Sequence, residues 1–382
     1  MNSTKTTSYI VILAIIILGI FTYVIVLNIF DNDASSNPFF SKTQKEVNAY
    51  LEYNPTLFKD KTILLPCDDP EWSNFTKFFA QNFETFGLRK LISTSYAADS
   101  KPADIDYQPT LFETIDPRFD VKKTRAKGKI FTLTRDENKD GKININDLKW
   151  NYLEGDGDFR SEEVKLLRDE ADFIITNPPF SLFREFVAWL IESSKKFLII
   201  GNVNAISYKE IFPFIKDNKI WVGNRFNKRV DGKNMTFRVP DNYEMKGTEL
   251  YVENGQKFIS VAGTGWFTNI EHGRRHQPLQ LNTVDENIKH SKHKEVKGIG
   301  YNKFDYYDAI NVPFTDAIPS DYDGLMGVPI TFLSKHCPEQ FEIIDGIGRY
   351  SILENEATKA AGNYLSMVNG KPQYFRIIIR RK

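Results

Sequence analysis

Residues 172–180 read DFIITNPPF, an apolar run that leads directly into Asn177-Pro178-Pro179-Phe180. A short run of apolar and β-branched residues bounded by turn formers predicts a buried strand over 172–176. The following residues, 182–193, predict a helix. A buried strand followed by a helix is typical of a mostly parallel sheet that helices cover on both faces.

The same alternation extends to both sides of this stretch. Further strands are predicted at 62–65, 90–93 and 197–201, and further helices at 43–53 and 73–86. We therefore predict an α/β fold in which ligands bind at the carboxyl ends of the strands. From about Asn234 onward, strand-like pieces, glycines and aromatics alternate without this rhythm, which predicts a second, irregular α+β region.

Asn177 to Phe180 carry the most specific chemistry in the chain. The exocyclic amine of adenine is a poor nucleophile because its lone pair is delocalised into the ring. The side-chain oxygen of Asn177 and the main-chain carbonyl of Pro178 can accept its hydrogens and free that lone pair. Pro178 and Pro179 hold these acceptors rigid, and Phe180 offers a face for a flipped-out base. The alternative is an ordinary turn that ends a strand.

Two acidic loops are candidates for binding a sulfonium cofactor. The first follows strand 62–65, where Asp68 or Asp69 would face an ammonium group and Ser73 or Asn74 would cap the next helix. This loop also contains Pro70 but lacks the usual glycine-rich sequence, so a solvated acidic cap is the alternative.

The second loop, residues 155–161, lies shortly before the strand at 172–176. Here the carboxylate of Asp158 would accept a hydrogen bond from an adenine amine, and Phe159 would pack on the ring. A plain Gly-Asp turn is the alternative.

Long strings of the chain resemble the EcoRI-type adenine-specific DNA methyltransferases. They include CDDPEWSNF, LRKLISTSY, GDGDFRSEEV, ADFIITNPPFSLFREF and WFTNIEHGRRHQPLQL, and the resemblance covers roughly residues 40–382. It implies a Rossmann-like methyltransferase domain, S-adenosylmethionine as donor and duplex DNA as substrate. It puts Asp68, Asp69 and Asp158 near the cofactor and residues 177–180 at the target base. The recognition sequence, a cognate restriction endonuclease and the oligomeric state stay open.

Two locally basic stretches are candidates for contacting DNA. Residues 216–233 include Arg225, Lys228 and Arg229, and residues 272–297 include Arg274 and Arg275. Such clusters suit phosphate contacts, with arginine available for guanine edges. A solvated face is the alternative, because the 50 basic residues of the chain are balanced by 50 acidic ones.

The first 30 residues are set apart by their composition. Residues 9–30 carry no charge and are long enough to cross a hydrocarbon core of roughly 30 Å. We predict an N-terminal transmembrane helix; a signal peptide would have a shorter apolar region and a small-residue cleavage site. The flanking charges are nearly balanced, so orientation stays open. We expect the catalytic domain in the cytoplasm, anchored by this helix.

The predicted organisation is therefore a membrane segment at 1–30, a linker and short helix at 31–60, a catalytic domain at 61–233 and a target-recognition region at 234–382. The two cysteines, Cys67 and Cys337, are too few for a disulfide framework or a zinc site. Residues 136–147 have calcium-loop spacing, yet Asp147 replaces the usual final Glu and the flanks do not read as a helix pair. We therefore favour a polar surface hairpin and expect no metal.

Two other functions compete with DNA adenine methylation. The first is methylation of a glutamine amide in a protein, because such a nitrogen also suits an Asn-Pro-Pro-Phe site. The second is a membrane-tethered DNA-binding protein that has lost catalysis. The basic clusters disfavour the first, and the intact sequence of residues 177–180 disfavours the second.

Overall fold

The computed structural model describes residues 38–68, 73–97, 116–224, 235–239, 250–253, 256–261, 263–348 and 365–382. The α-helices of this part are α1 (Pro38–Tyr53), α2 (Asn74–Gln81), α3 (Phe83–Phe86), α4 (Val121–Ala126), α5 (Glu162–Glu170), α6 (Phe183–Ser193), α7 (Phe212–Lys216) and α8 (Val284–His290). The first strands are β1 (Thr62–Leu65), β2 (Lys90–Ser95), β3 (Lys129–Leu133), β4 (Lys149–Tyr152), β5 (Phe173–Thr176) and β6 (Lys196–Asn202).

The remaining strands are shorter on average and lie in the second half of the chain. They are β7 (Trp221–Val222), β8 (Met235–Val239), β9 (Leu250–Glu253), β10 (Gln256–Val261), β11 (Thr264–Thr268), β12 (Ile310–Asn311), β13 (Met326–Pro329), β14 (Phe341–Ile347), β15 (Met367–Val368), β16 (Lys371–Pro372) and β17 (Arg376–Arg381).

The chain divides into two compact units. Unit 1 comprises 1–201 and 228–270, and unit 2 comprises 202–227 and 271–382. This division differs from the predicted boundary near residue 233. The chain returns to the large sheet through β11, so residues 228–270 group with the sheet-forming half.

Within unit 1, seven strands lie side by side in the order β4-β3-β2-β1-β5-β6-β11. The central pairs β1–β2, β1–β5 and β5–β6 are parallel, whereas β3 pairs antiparallel with both β2 and β4. The chain moves outward from β1 to β2 and later returns to the other side of β1 as β5. The strand order therefore reverses between β1 and β5, and in such sheets ligands bind at this reversal.

The central strands of this sheet are apolar and buried. Every residue of β1 and β5 is buried, as expected for strands covered on both faces. Aromatic side chains of α2 and α3 pack into the same core, where the rings of Phe58 and Phe79 meet edge to face at 5.8 Å. The predicted α/β fold is confirmed, but its large sheet is mixed instead of mostly parallel, because β3 pairs antiparallel with β2 and β4.

Most predicted elements of unit 1 lie where the pattern placed them. The helix predicted at 73–86 is divided at Asn82 into α2 and α3, and the helix predicted at 43–53 begins earlier, at Pro38. At the end of the chain, Arg380 and Arg381 belong to β17, which lies between β13 and β14.

Unit 2 contains the four-stranded sheet β12-β13-β17-β14 and the hairpin of β15 and β16. The predicted membrane segment at 9–30 lies outside the described residues. In the portion of the chain that the structure describes, no helix combines the length and apolar character that crossing a membrane requires.

Candidate active site

The carboxyl ends of β1 and β5 are joined by one threonine. The single hydroxyl proton of Thr176, the last residue of β5, is shared between the carbonyl oxygen of Pro66, at 2.6 Å, and the carboxylate of Asp68. Thr176 is fully buried. The predicted acidic loop and the Asn177-Pro178-Pro179-Phe180 turn therefore start from the same point, at the reversal of strand order.

Asp68 organises the loop that follows β1. Its carboxylate is buried and accepts a 2.7 Å hydrogen bond from the hydroxyl of Ser73. Ser73 in turn accepts hydrogen bonds from the backbone N–H groups of Phe75 and Thr76, so it caps α2 as predicted. The main-chain carbonyl of Asp68 also accepts hydrogen bonds from the hydroxyls of Thr76 and Ser93. One residue thus connects β1, α2, β2 and β5.

The residue before Asp68 is in an unusual conformation. Cys67 has a φ of 66°, which is strained for a residue that carries a side chain. Burial raises the pKa of its thiol, and the negative charges of Asp68 and Asp158 raise it further. The thiol is therefore protonated at neutral pH, and the two carboxylates are close enough to act on the same group.

The loop of residues 155–158 closes tightly on the end of β2. Gly157 has a φ of 87°, and a Cβ at this position would lie 2.3 Å from the carbonyl oxygen of Ser95. Only glycine fits such a close approach of two backbones. This packing brings Asp158 to the carboxyl end of β2, next to the reversal between β1 and β5.

Asp158 is a carboxylate at any physiological pH. Burial alone would raise its pKa, but hydrogen bonds from Arg160 and from the hydroxyl of Tyr96 outweigh burial and hold it at about 2. The Arg160 Nη2 atom lies 2.6 Å from Asp158 Oδ2. Burial of the Tyr96 hydroxyl raises its pKa, and the hydrogen bond that this hydroxyl donates to Asp158 raises it further. Asp158 and Tyr96 therefore place an ionised carboxylate beside an aromatic ring.

The structure does not support the predicted role of Phe159. Its ring is fully buried and packs edge to face on Phe186 and Trp189, at centroid distances of 5.0 and 5.7 Å. The ring is part of the core because α6 covers it, so it offers no face to a ligand. The aromatic residue beside Asp158 is instead Tyr96. Sequence reasoning missed it because it lies far upstream, although its position at the end of a strand was a usable signal.

The Asn177 turn has the rigidity that the sequence predicted. Asn177 is half-buried, Pro178 is buried, and Pro179 has a φ of −61°. The carbonyl of Pro179 accepts from the N–H of Leu182 at 3.0 Å, which starts a short 3₁₀ turn before α6. The ring of Phe180 is partly buried and packs against the core. Within the described residues, no hydrogen bond engages the Asn177 carboxamide.

Several predicted site residues lie outside the described part of the chain. These are Asp69 and Pro70 in the acidic loop and Arg225, Lys228 and Arg229 in the first basic stretch. Asn74 starts α2, but its side chain is not described.

Arg275 is a structural residue instead of the predicted DNA contact. It is buried, its guanidinium lies 4.0 Å from the ring centroid of Trp221, and it donates to Asn218 at 2.9 Å. Burial lowers its pKa, and Glu271 compensates part of this effect. Arg274 is half-exposed and donates to the carbonyl of Asn224 at 2.8 Å. Its role as a DNA contact stays a prediction.

The calcium-like loop is closed by its own amides. The carboxylate of Asp147 is buried and accepts from the backbone N–H groups of Glu137, Asn138 and Asn144. Asp136 accepts from the N–H groups of Lys139 and Gly141. Across the ranges that the structure describes, no cluster of three or more His, Cys, Asp or Glu residues suits a metal ion.

Comparison with known proteins gives a consistent result. The family described as "Adenine-specific methyltransferase EcoRI" matches residues 31–382. The Type II methyltransferase M.EcoRI of Escherichia coli is 40% identical over 338 residues, which is 88% of this chain and 91% of that protein. The Type II methyltransferases M.MgeORF184P of Mycoplasma genitalium and M.MpnI of Mycoplasma pneumoniae are 35% and 33% identical, each over 91% of this chain and 96% of the relative. No solved structure matches. The chain belongs to the family of EcoRI-type adenine-specific methyltransferases.

Proposed function

We propose that this protein transfers a methyl group from S-adenosylmethionine to N6 of adenine in duplex DNA, with the target base flipped out of the helix. The observation that carries this proposal is the pair of hydrogen bonds from Thr176 to Pro66 and Asp68. Through them, an acidic loop and an Asn-Pro-Pro-Phe turn lie together at the carboxyl ends of two neighbouring parallel strands, β1 and β5. Family membership narrows the acceptor to adenine.

The chain's own residues account for activation of the amine. The carboxamide oxygen of Asn177 and the carbonyl of Pro178 would accept the two amine hydrogens, which localises the nitrogen lone pair for attack. Both acceptors belong to a turn that two prolines stiffen, so little reorganisation is needed. The partly buried ring of Phe180 would stack on the extruded base. The amine loses its proton late, so no general base is required at the start.

The carboxylates and the aromatic ring near the ends of β1 and β2 fit a nucleoside that carries an ammonium group. S-adenosylmethionine would supply an electrophilic methyl group on a sulfonium. The ionised carboxylate of Asp158 would accept from its nucleoside portion, and the ring of Tyr96 would pack there in place of Phe159. The acidic loop of Asp68, Asp69 and Pro70, which leads into α2 through the cap residue Ser73 and the first helical residue Asn74, would accept from its ammonium group.

Labelled S-adenosylmethionine tests the reaction directly. The full chain is incubated with methyl-labelled cofactor and plasmid DNA that lacks adenine methylation, and the DNA is then digested to nucleosides. The proposal expects label in N6-methyladenine. Label in protein would favour glutamine methylation, and a chain that binds DNA without transferring label would favour a binding protein. Sequencing the methylated plasmid would then give the recognition motif.

We further infer that residues 9–30 tether the enzyme to a membrane with the catalytic part in the cytoplasm. The support is their uncharged composition and the start of the family match at residue 31. In cells, the full chain should stay with membranes after alkaline washing, and residues 31–382 should not. Release of the full chain by that wash would remove this inference without affecting the chemistry. Whether a cognate endonuclease accompanies the enzyme is a question for its genomic neighbours.

A further inference from the structure

A tight turn after α8 holds one isoleucine out in solvent. Ile299 is 66% exposed and lies between Gly298 and Gly300, whose φ angles are 74° and 87°. A residue with a side chain adopts such angles only with strain, whereas glycine does so freely. The two glycines therefore allow the chain to reverse sharply on both sides of an apolar side chain.

This turn is rigidly held. The N–H of Gly298 donates to the carbonyl of Ile288 at 2.8 Å. The N–H groups of Ile299 and Gly300 both donate to the carbonyl of Val296, at 3.1 and 2.9 Å, and Val296 is fully buried. An exposed apolar residue on a mobile loop could turn inward, but here the backbone fixes its outward position.

Three lysines surround the base of the turn. Lys289 follows Ile288 directly, and the carbonyl of His293 accepts from the N–H of Lys297, so residues 293–297 form one helical turn. Lys294 lies in that turn and is exposed, as are Lys289 and Lys297. Among described residues, none accepts a hydrogen bond or ion pair from these three ammonium groups. A single carboxylate, Glu295, lies within 289–297.

Most other basic residues of this stretch already have carboxylate or carbonyl partners. Lys292 and His293 both contact Asp316, at 2.7 and 2.8 Å. His276 lies between Glu271 and Glu339, at 3.1 and 2.9 Å. Lys289, Lys294 and Lys297 are therefore the exposed lysines of this stretch that make no hydrogen bond or ion pair with described residues, and the exposed His290 follows Lys289.

We propose that Lys289, Lys294, Lys297 and Ile299, which we call the isoleucine tip, form a contact surface for duplex DNA. The lysines bind backbone phosphates, and Ile299 packs into the groove against sugars or base edges. Proteins that deform a duplex use an apolar wedge flanked by cations in this way. The inference rests on the proposed function, in which duplex DNA is the substrate.

Salt-dependent binding tests the lysines. The full chain and the triple variant K289Q/K294Q/K297Q are titrated into a fluorescent mixed-sequence duplex at several salt concentrations. The variant should bind roughly tenfold or more weakly at about 0.1 M salt, and its log–log salt slope should fall by about 0.9 for each lost contact. The matched control, K122Q/K139Q/K142Q, removes exposed lysines of unit 1 and should leave the affinity and slope unchanged.

Ile299→Ala tests the apolar contact separately. It should weaken binding several-fold with an unchanged salt slope and an unchanged melting temperature, because the side chain is exposed in the free protein. If the enzyme methylates DNA and both tip variants bind with wild-type affinity and salt slope, the isoleucine tip is not a DNA contact. The proposed function would then still hold. A wild-type chain that neither binds nor methylates any duplex would overturn both.

Discussion

The hydroxyl of Thr176 lies 2.6 Å from the carbonyl oxygen of Pro66, so the last residue of β5 is bonded to the first residue after β1. The same hydroxyl donates to the carboxylate of Asp68. Two loops that are more than a hundred residues apart in sequence are thereby fixed to each other. This contact lies at the reversal of strand order, where α/β sheets bind their ligands.

Removing this hydroxyl should damage the site more than the fold. Thr176→Val removes the hydroxyl donor from the buried carbonyl of Pro66 and one of the two hydroxyl donors to the carboxylate of Asp68, which costs about 1–3 kcal/mol of unfolding free energy. Urea denaturation measures this loss of stability. At a temperature where the variant is still folded, its rate of methyl transfer should nevertheless fall, because the site has lost a contact that fixes its two loops. Thr268→Val is the matched control, because Thr268 is also fully buried and donates to the carbonyl of Phe197 at 2.6 Å. Thr268→Val should lose a similar amount of stability and keep full activity. Equal activity in the two variants would show that Thr176 does not act on the site.

Tyr96 and Asp158 should act together on cofactor affinity. Tyr96→Phe keeps the ring and loses the hydrogen bond to Asp158, so we expect a modest increase in the Kd of S-adenosylmethionine. Tyr96→Ala also loses the ring and should weaken binding by a further factor of about ten, as for a lost aromatic contact. Calorimetry of cofactor binding gives both values. Phe159→Leu changes a ring of the same loop that lies in the core, so the folded variant should keep the wild-type Kd. A larger effect on the Kd at Phe159 than at Tyr96 would show that Phe159, and not Tyr96, contacts the cofactor.

Two buried histidines should make unit 2 sensitive to acid. Burial lowers the pKa of His272 and of His336 from 6.5 to about 4. A depressed folded-state pKa means that the unfolded chain binds the proton first. The stabilisation is therefore complete above pH 6.5 and is lost as the pH falls through 4, by about 1–2 kcal/mol per histidine at pH 5.

Unfolding measured between pH 7.5 and about 4.5 tests this expectation. Replacing both buried histidines with Asn should flatten the pH dependence, while His290→Asn, at an exposed position, should not. A pH dependence that persists in the double variant would assign the acid sensitivity to other groups.

The sequence predicted the centre of the sheet well because both of its signals are local. The apolar runs at 62–65 and 173–176 are typical of buried strands, and Asn177-Pro178-Pro179 follows the second run directly. Ser73 was found as a helix cap for the same reason. Phe159 and Arg275 were misassigned because their types suit a ligand, whereas burial is decided by α6 and Trp221, which are distant in sequence. Tyr96 was missed because its partner Asp158 reaches it only through the close packing of Gly157 on Ser95.

The central claim is that Asn177 activates the target amine while other residues hold the cofactor. Asn177→Ala tests it most directly, with methyl transfer to DNA and S-adenosylmethionine binding measured on the same preparation. We predict that transfer falls by about a hundred- to a thousandfold, as for loss of a principal transition-state contact, and that the cofactor Kd stays within a few-fold of the wild-type value. Near-normal transfer by Asn177→Ala would contradict the mechanism.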